Sequence, residues 1–424
     1  MNLEQWLARL EQAHPRGIEL GLERVGAVWH ALGAPRPARR VITVGGTNGK
    51  GSTVAFIEAA ARACGWRVGT YTSPHLLRYN ERIRIDGREV ADADIVAAFR
   101  RIEAARGGTS LTYFEFGTLA AFLLLARADL DLAVLEVGLG GRLDAVNLVD
   151  ADVAVVTTVA LDHQAWLGPS RVHIAREKAA IARPGRPLLA GERDAEPALL
   201  ESAAAIGAPV LRLGADFDVE AVERGRLRFR PPGPGPVAAV PMPPLPLAAH
   251  VQADNAATAL AALVALGAGL DLERAAAGLA QARLPGRLQR LASAPDVVVD
   301  VGHNPQAAQV LAGWLASRQD GRVTHAVFAA LADKDIAGIV TPLRDMVRHW
   351  HLAGLGPAGG RGLAVDELVQ RVHTALPDAC LDRHADVAEA LAHAKLAAGR
   401  DGRVLVFGSF LTVAAALRAL GGGA

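Results

Sequence analysis

The feature that most constrains this chain is its rhythm, in which short β-branched runs alternate with longer stretches of helical periodicity. Runs at 41–44, 68–71, 132–137, 153–159 and 187–190 are separated by such stretches, and one helix is expected from about Lys50. Strands that alternate with helices pair in parallel and need helices on both faces, so the fold class is α/β with a mostly parallel sheet. Ahead of the sheet, Asn2 can cap a leader helix whose Leu3, Trp6, Leu7 and Leu10 share one face, ending at a loop around His14-Pro15.

Residues 211–246 break the rhythm with short alternating segments around a Pro/Gly cluster at 231–236, which predicts antiparallel strands and a surface loop. An Ala-rich helix follows over about 255–266, and Leu284-Pro-Gly-Arg287 then punctuates the chain before a strand at 297–301. From there the alternation restarts, with a helix from Pro305, strands near 323–329, 350–353 and 404–407, and a last helix. At 424 residues the chain exceeds the size of about 250 to 300 at which single cores stop growing. Two domains are expected, 1–284 and 296–424, joined by a linker at 285–295.

Composition narrows the class. The formal net charge is +1 and no long basic run occurs, so nucleic acid is not expected as a partner. The longest uncharged apolar stretch, 256–270, falls short of the roughly 20 residues that span a membrane. Neither a secretory signal nor a transit peptide is read at the N-terminus, and the expected location is cytoplasmic. Cys64 and Cys380 lie far apart without metal-ligand spacing, which argues against a disulfide framework or a zinc site.

The run at 41–44 leads into Gly45-Gly-Thr-Asn-Gly-Lys-Gly-Ser-Thr53 and then a helix. A strand, a glycine loop and a helix in that order present backbone N–H groups to phosphates. Lys50 supplies a point charge, and Ser52 or Thr53 a hydroxyl for magnesium. The strict Walker spacing fails, because Val44 stands at the first glycine position and Gly51 follows the lysine.

Three further groups fall at strand ends or beyond. Glu136 closes a buried run and leads into Val137-Gly-Leu-Gly-Gly-Arg-Leu-Asp144, where a carboxylate can serve as a Mg²⁺ ligand or as a cap or ion-pair partner. Asp162 and His163 follow the run at 153–159, His163 being either a ligand or a structural group. Lys178 sits on a predicted helix between Ile174 and Ile181, and its spacing alone reads as a solvated lysine.

Taken together, Gly46-Thr-Asn-Gly-Lys-Gly-Ser52, Thr72-Ser-Pro-His-Leu76, Asn80-Glu-Arg-Ile83, Glu136-Val-Gly-Leu-Gly-Gly-Arg-Leu-Asp144, Leu161-Asp-His163, Arg176-Glu-Lys178 and Asp300-Val-Gly-His-Asn-Pro305 resemble the folylpolyglutamate synthase and dihydrofolate synthase family. The resemblance runs from Leu3 to Val413 and includes the leader Ile18-Glu-Leu-Gly-Leu-Glu-Arg-Val25. It implies a three-layer N-terminal ATPase domain with a Rossmann-like C-terminal domain. It also implies ATP-dependent addition of L-glutamate to dihydropteroate, and of further glutamates to tetrahydrofolates, through an acyl phosphate.

The resemblance assigns residues too. Thr47, Asn48, Gly49, Lys50, Gly51 and Ser52 would hold the ATP phosphates. Ser73 and Glu136 would hold one Mg²⁺, and His163 a second, together with Lys178 as a carbamate. Lys50, His163 and Lys178 would be the catalytic groups, while Asn255, Arg287 and Asp300 would contact ATP. Pterin binding would fall to Leu20 and Gly21, to Tyr113, Phe114, Glu115 and Phe116, and to Leu143, Asp144 and Ala145. The residues' own reading for the aromatics leaves helix core open. Val146, Gln306 and Leu411 depart from the family pattern. A monomer acting on small molecules is expected. The rival readings are a single-activity folylpolyglutamate synthase, another Mur-type amide ligase acting on a muramyl nucleotide, and a nucleotide switch that uses the phosphate loop alone.

Overall fold

The computed structural model describes residues 1–13, 19–222, 226–233, 238–267, 269–318, 320–356 and 362–421. The expected loop at His14-Pro15, the leader residue Ile18 and the second half of the Pro/Gly cluster lie outside these. The chain divides into two compact units, one of Met1–Ala160, Gln164–Pro246 and Gln252–Arg283, the other of Leu161–His163, Leu247–Val251 and Leu284–Ala424.

In the first unit, strands β1 (Arg40–Gly45), β2 (Val68–Tyr71), β3 (Ile83–Ile85), β4 (Arg88–Glu89), β5 (Leu132–Glu136), β6 (Val153–Val156), β7 (Leu188–Ala190) and β8 (Val210–Arg212) form one sheet in the order β4-β3-β2-β5-β1-β6-β7-β8. Pairing is parallel from β2 through β8 and antiparallel at the β3 and β4 edge. Because β1 lies between β5 and β6, the chain winds away from β1 in both directions. In open α/β sheets such a switch point is where loops gather around a ligand. The register places Val44 beside Glu136 and Gly45 beside Val156, so the loops after β1, β5 and β6 leave the sheet side by side.

Local chemistry accounts for the elements. The leader helix Leu3–Gln12 begins with a capping box, Asn2 accepting from the Gln5 amide while the Gln5 side chain accepts from the Asn2 amide. Trp6, Phe99 and Phe116 meet beneath it, the Phe99 and Phe116 rings edge to face at 5.4 Å. Full burial of such a side chain contributes about 1.5 to 3 kcal/mol. The helix Lys50–Ala63 is buried from Gly51 to Ala61 and packs against Gln252–Ala265 and Leu272–Gly278. Small residues permit this approach: a methyl on Gly278 would come within 2.5 Å of Ala63. β9 (Asp218–Ala221), β10 (Leu227–Arg230) and β11 (Val240–Met242) make a separate antiparallel sheet, as the broken rhythm predicts.

In the second unit β12 (Gln289–Ser293), β13 (Asp296–Val299), β14 (Thr324–Phe328), β15 (His349–Ala353), β16 (Cys380–His384) and β17 (Arg403–Phe407) order as β12-β13-β17-β14-β15-β16. Only β12 is antiparallel among these described strands. Phe328, Trp350 and Phe407 fill the core. Asn304 caps Pro305–Ser317 by accepting from the Ala307 amide, with proline at the position that has no amide to lose.

Two strands differ from the expectation. β12 occupies residues read as linker, and β16, largely exposed, carries Cys, Asp, Arg and His in place of an apolar alternation. A third difference is functional: the strand expected over 153–159 stops at Val156, because Thr157 and Thr158 turn their hydrogen bonds to the loop after β1. Among the described residues no helix is long and apolar enough to cross a membrane.

Candidate active site

The glycine loop is held from both sides by the chain after β6. The Thr47 amide donates to the Thr158 carbonyl at 2.8 Å, and the Asn48 amide to the Thr158 hydroxyl at 3.0 Å. The Thr157 hydroxyl donates to the Asn48 carbonyl at 2.6 Å. Two glycines are required by close approach. At Gly46, where φ is 141°, a Cβ would lie 1.9 Å from the Thr157 hydroxyl oxygen. Gly49 caps the following helix in the left-handed region at φ 87°, and a Cβ there would meet the Asn255 side-chain oxygen at 2.7 Å. Lys50 begins the helix and folds back over the loop, its Nζ donating to the carbonyls of Gly46 at 3.1 Å and Thr47 at 3.2 Å. Gly51 and Ser52 complete the first turn, whose amides have no intrahelical acceptor and favour an anion. Thr47 to Ser52 and Asn255 are thus one constellation.

Beside it, Glu136 is buried at the end of β5, and the Ser73 amide, just beyond β2, donates to its Oε2 at 3.2 Å. A hydroxyl-bearing residue and a carboxylate therefore adjoin, a hard-oxygen pair suited to Mg²⁺ or Mn²⁺. Lys178 corrects the reading from spacing. The helix Arg171–Ala179 turns this side chain inward, where the residue is 3 % exposed, so it is not a solvated lysine. The glycine run after Glu136 lies against the same helix turn: a Cβ on Gly141 would come within 2.6 Å of the Glu177 carbonyl, and the Arg142 amide donates to that carbonyl at 3.0 Å.

Asp144 closes this run on itself, accepting from the Leu139 amide at 2.8 Å and the Val146 amide at 2.9 Å. Burial raises its pKa to about 6, against the opposing pull of those amides and of Lys50. The buried Ala145 follows it, while Leu143 reaches the leader, accepting at its carbonyl from the Gly21 amide at 3.2 Å beside Leu20. The aromatic segment starts the helix Tyr113–Arg127. Here Glu115 is committed to structure, its Oε2 accepting from the Thr112 amide at 2.7 Å and its Oε1 from Arg24 at 3.0 Å. Phe116 is core. Tyr113 and Phe114 are half-buried: Phe114 covers Gly138, and Tyr113 stands edge-on to Tyr79 at 5.8 Å with Arg82 over its ring.

The remaining candidates belong to the second unit. Asp162 receives the Lys334 ammonium at 2.7 Å, the Asn304 amide group at 3.1 Å and His303 at 3.4 Å. Burial works against its charge, but the His303 hydrogen bond and the charges of His163, His303 and Lys334 hold its carboxyl well below the usual range. His163, next to it, adopts a left-handed backbone at φ 52°. Asp300 accepts from the Gly302 amide at 2.7 Å and the Leu288 amide at 2.8 Å, and Arg287 stacks over Phe410 at 5.3 Å. Lys334 was missed by the sequence reading, and only its place between Asp333 and Asp335 hints at a charge cluster. His303 and Asn304 lie within Asp300-Val-Gly-His-Asn-Pro305, and nothing in that run discloses their contacts with Asp162.

A profile of the Mur ligase middle domain matches residues 44–263, and one of the Mur ligase glutamate ligase domain matches 286–410. The dihydrofolate synthase/folylpolyglutamate synthase of Escherichia coli K12 is 43 % identical over 413 residues, covering 97 % of this chain and 94 % of that protein. The enzyme of that description from Mycobacterium tuberculosis H37Rv is 36 % identical over 79 % of this chain and 74 % of its own length. Among solved structures, Escherichia coli FolC in complex with DHPP and ADP superposes with a TM-score of 0.92 at 42 % identity, covering 100 % of this chain and 98 % of that one. A bifunctional folylpolyglutamate synthase/dihydrofolate synthase with Mn, AMPPNP and L-glutamate bound gives 0.89 at 43 % identity, covering 99 % and 98 %. By these matches along nearly its whole length, the chain belongs to the dihydrofolate synthase/folylpolyglutamate synthase family of Mur-type ligases.

Proposed function

We propose that this chain is an ATP-dependent ligase that joins L-glutamate to dihydropteroate, forming dihydrofolate, and adds further glutamates to tetrahydrofolates. A carboxylate oxygen of the acceptor attacks the γ-phosphorus of ATP and ADP leaves. The glutamate amine then attacks the acyl carbon, loses a proton, and inorganic phosphate departs with the carboxylate oxygen. The observation that carries this reading is the meeting, at the C-terminal ends of the neighbouring inner strands β2, β5 and β1, of the glycine loop with Lys50 and the adjoining Ser73 and Glu136.

Thr47 to Ser52 hold the phosphates through loop and first-turn amides, with Lys50 placing its ammonium over the transferring group, a reaction that needs positioning and charge more than covalent chemistry. Asn255, against Gly49, fixes the loop from the helix Gln252–Ala265, and Arg287 and Asp300 contribute nucleotide contacts from their own unit. Ser73 and Glu136 fit one Mg²⁺; His163 and Lys178 would hold a second. When bound, such ions neutralise phosphate charge. The inward-turned Lys178 is placed among buried groups rather than in solvent, and CO₂ addition would turn its amine into an anionic oxygen donor for such an ion. The acceptor's pterin would lie against Leu20, Gly21, Tyr113, Phe114 and the segment 143–145. Phe116 and Glu115 support that surface from beneath. Incubation with ATP, Mg²⁺, L-glutamate and dihydropteroate should give dihydrofolate by mass spectrometry. Glutamate addition to tetrahydrofolate with none to dihydropteroate would reduce the assignment to one activity.

A further inference from the structure

One face of the second unit's sheet carries an unusual run of donors that the ligase chemistry does not use. β15 and β16 pair in parallel with His349 beside Cys380 and His351 beside Asp382, and residues two apart on a strand share a face. A thiol, a carboxylate and two imidazoles thus stand on one face of two adjacent strands at the edge of the sheet. The His349 Nε2 lies 2.9 Å from Asp382 Oδ2 and 3.8 Å from Cys380 Sγ, and the His351 Nδ1 lies 3.9 Å from the same Asp382 oxygen. The two imidazole rings stack at 4.8 Å.

We propose that His349, His351, Asp382 and Cys380 form a binding site for one divalent transition-metal ion of the zinc class. Two nitrogens, an oxygen and a thiolate are a donor set for zinc or cobalt, whereas Mg²⁺ prefers oxygen alone. Bonds of about 2.0 to 2.3 Å in a tetrahedron give donor separations of roughly 3.3 to 3.7 Å; the three pairs above, at 2.9, 3.8 and 3.9 Å, bracket these, and the His349, His351 and Asp382 donors all lie within 4.8 Å of one another. The surroundings fit as well. A metal-bound histidine normally passes its other N–H to a fixed partner, and His351 Nε2 lies 3.3 Å from the Nδ1 of the buried His325 on β14. His384 Nε2 lies 3.2 Å from His351 Nδ1, a contact that ligation through this nitrogen would replace, whereas Cys380, His349 and Asp382 stand outside that row of imidazoles. Because β16 is an edge strand paired only to β15 within the sheet, the ion would fasten it.

The test uses full-length protein stripped with chelator and titrated with Co²⁺ in excess Mg²⁺. Wild type should take up one more equivalent than a Cys380→Ser/Asp382→Asn double variant. That equivalent should show the absorption of tetrahedral cobalt with a thiolate charge-transfer band, and added Zn²⁺ should displace it and raise Tm in wild type only. Both substituted side chains are largely exposed, so the variant should fold, and its ADP formation with dihydropteroate and glutamate should match wild type. Equal stoichiometry and spectra in the two proteins, or extra cobalt without a thiolate band, would overturn the site.

Discussion

The glycine loop at 46–52 and the aromatic segment at 113–116 were both proposed to hold ligand, yet they are built on opposite principles. The loop would work through backbone. Its amides are presented because Gly46 and Gly49 leave no room for a side chain against Thr157 and Asn255, so the residue types themselves disclose the geometry. The aromatic segment would work through side chains, and a helix start points successive residues in different directions. Glu115 and Phe116 turn inward to a cap, an ion pair and the core, while Tyr113 and Phe114 remain half-buried. Binding built from backbone can be read from glycines, whereas binding built from side chains depends on facing, which the packing decides.

Substitutions can break that contrast. The largest effect is expected at Phe116→Ala, which should cost about 3 to 5 kcal/mol of stability by chemical denaturation. Phe114→Ala should cost less and raise KM for dihydropteroate, and equal stability losses would erase the distinction between the two rings. Lys50→Ala should lower kcat by about 100- to 1,000-fold in an ADP-release assay, with folding intact. Gly46→Ala forces Thr157 or the loop to move and should cost about 1 to 3 kcal/mol, accompanied by weaker ATP binding in calorimetry; unchanged affinity would mean that the loop tolerates displacement.

The gentlest test is of pH. The Asp144 pKa is raised by burial from 3.8 to about 6, so its contribution to stability is fully present below 3.8 and is lost as pH rises through about 6. Asp144→Asn should flatten the fall in stability over that window, as read from denaturation midpoints. An unaltered slope would place the titration elsewhere.

Much of the fold was legible because β5 and the strand near 404 carry continuous apolar runs and β1 is broken only by Thr43, the signature of strands buried on both faces. β16 was not, since Cys380, Asp382 and Arg383 give an edge strand no apolar alternation. In the site, the loop and Glu136 were visible at strand ends. Lys178 was not visible as a buried group, because helical spacing between Ile174 and Ile181 does not say which way position 178 turns; only the family resemblance raised it. The His349-x-His351 spacing carries no signal by itself, since strand pairing, not sequence, brings Cys380 and Asp382 beside it.

The proposed reaction turns on ATP activating a carboxylate as an acyl phosphate. Dihydropteroate labelled with heavy oxygen in its carboxylate tests this directly when turned over with ATP and L-glutamate and the inorganic phosphate is analysed by mass spectrometry. One labelled oxygen should appear in each phosphate formed with dihydrofolate. Dihydrofolate formed together with unlabelled phosphate would contradict the mechanism.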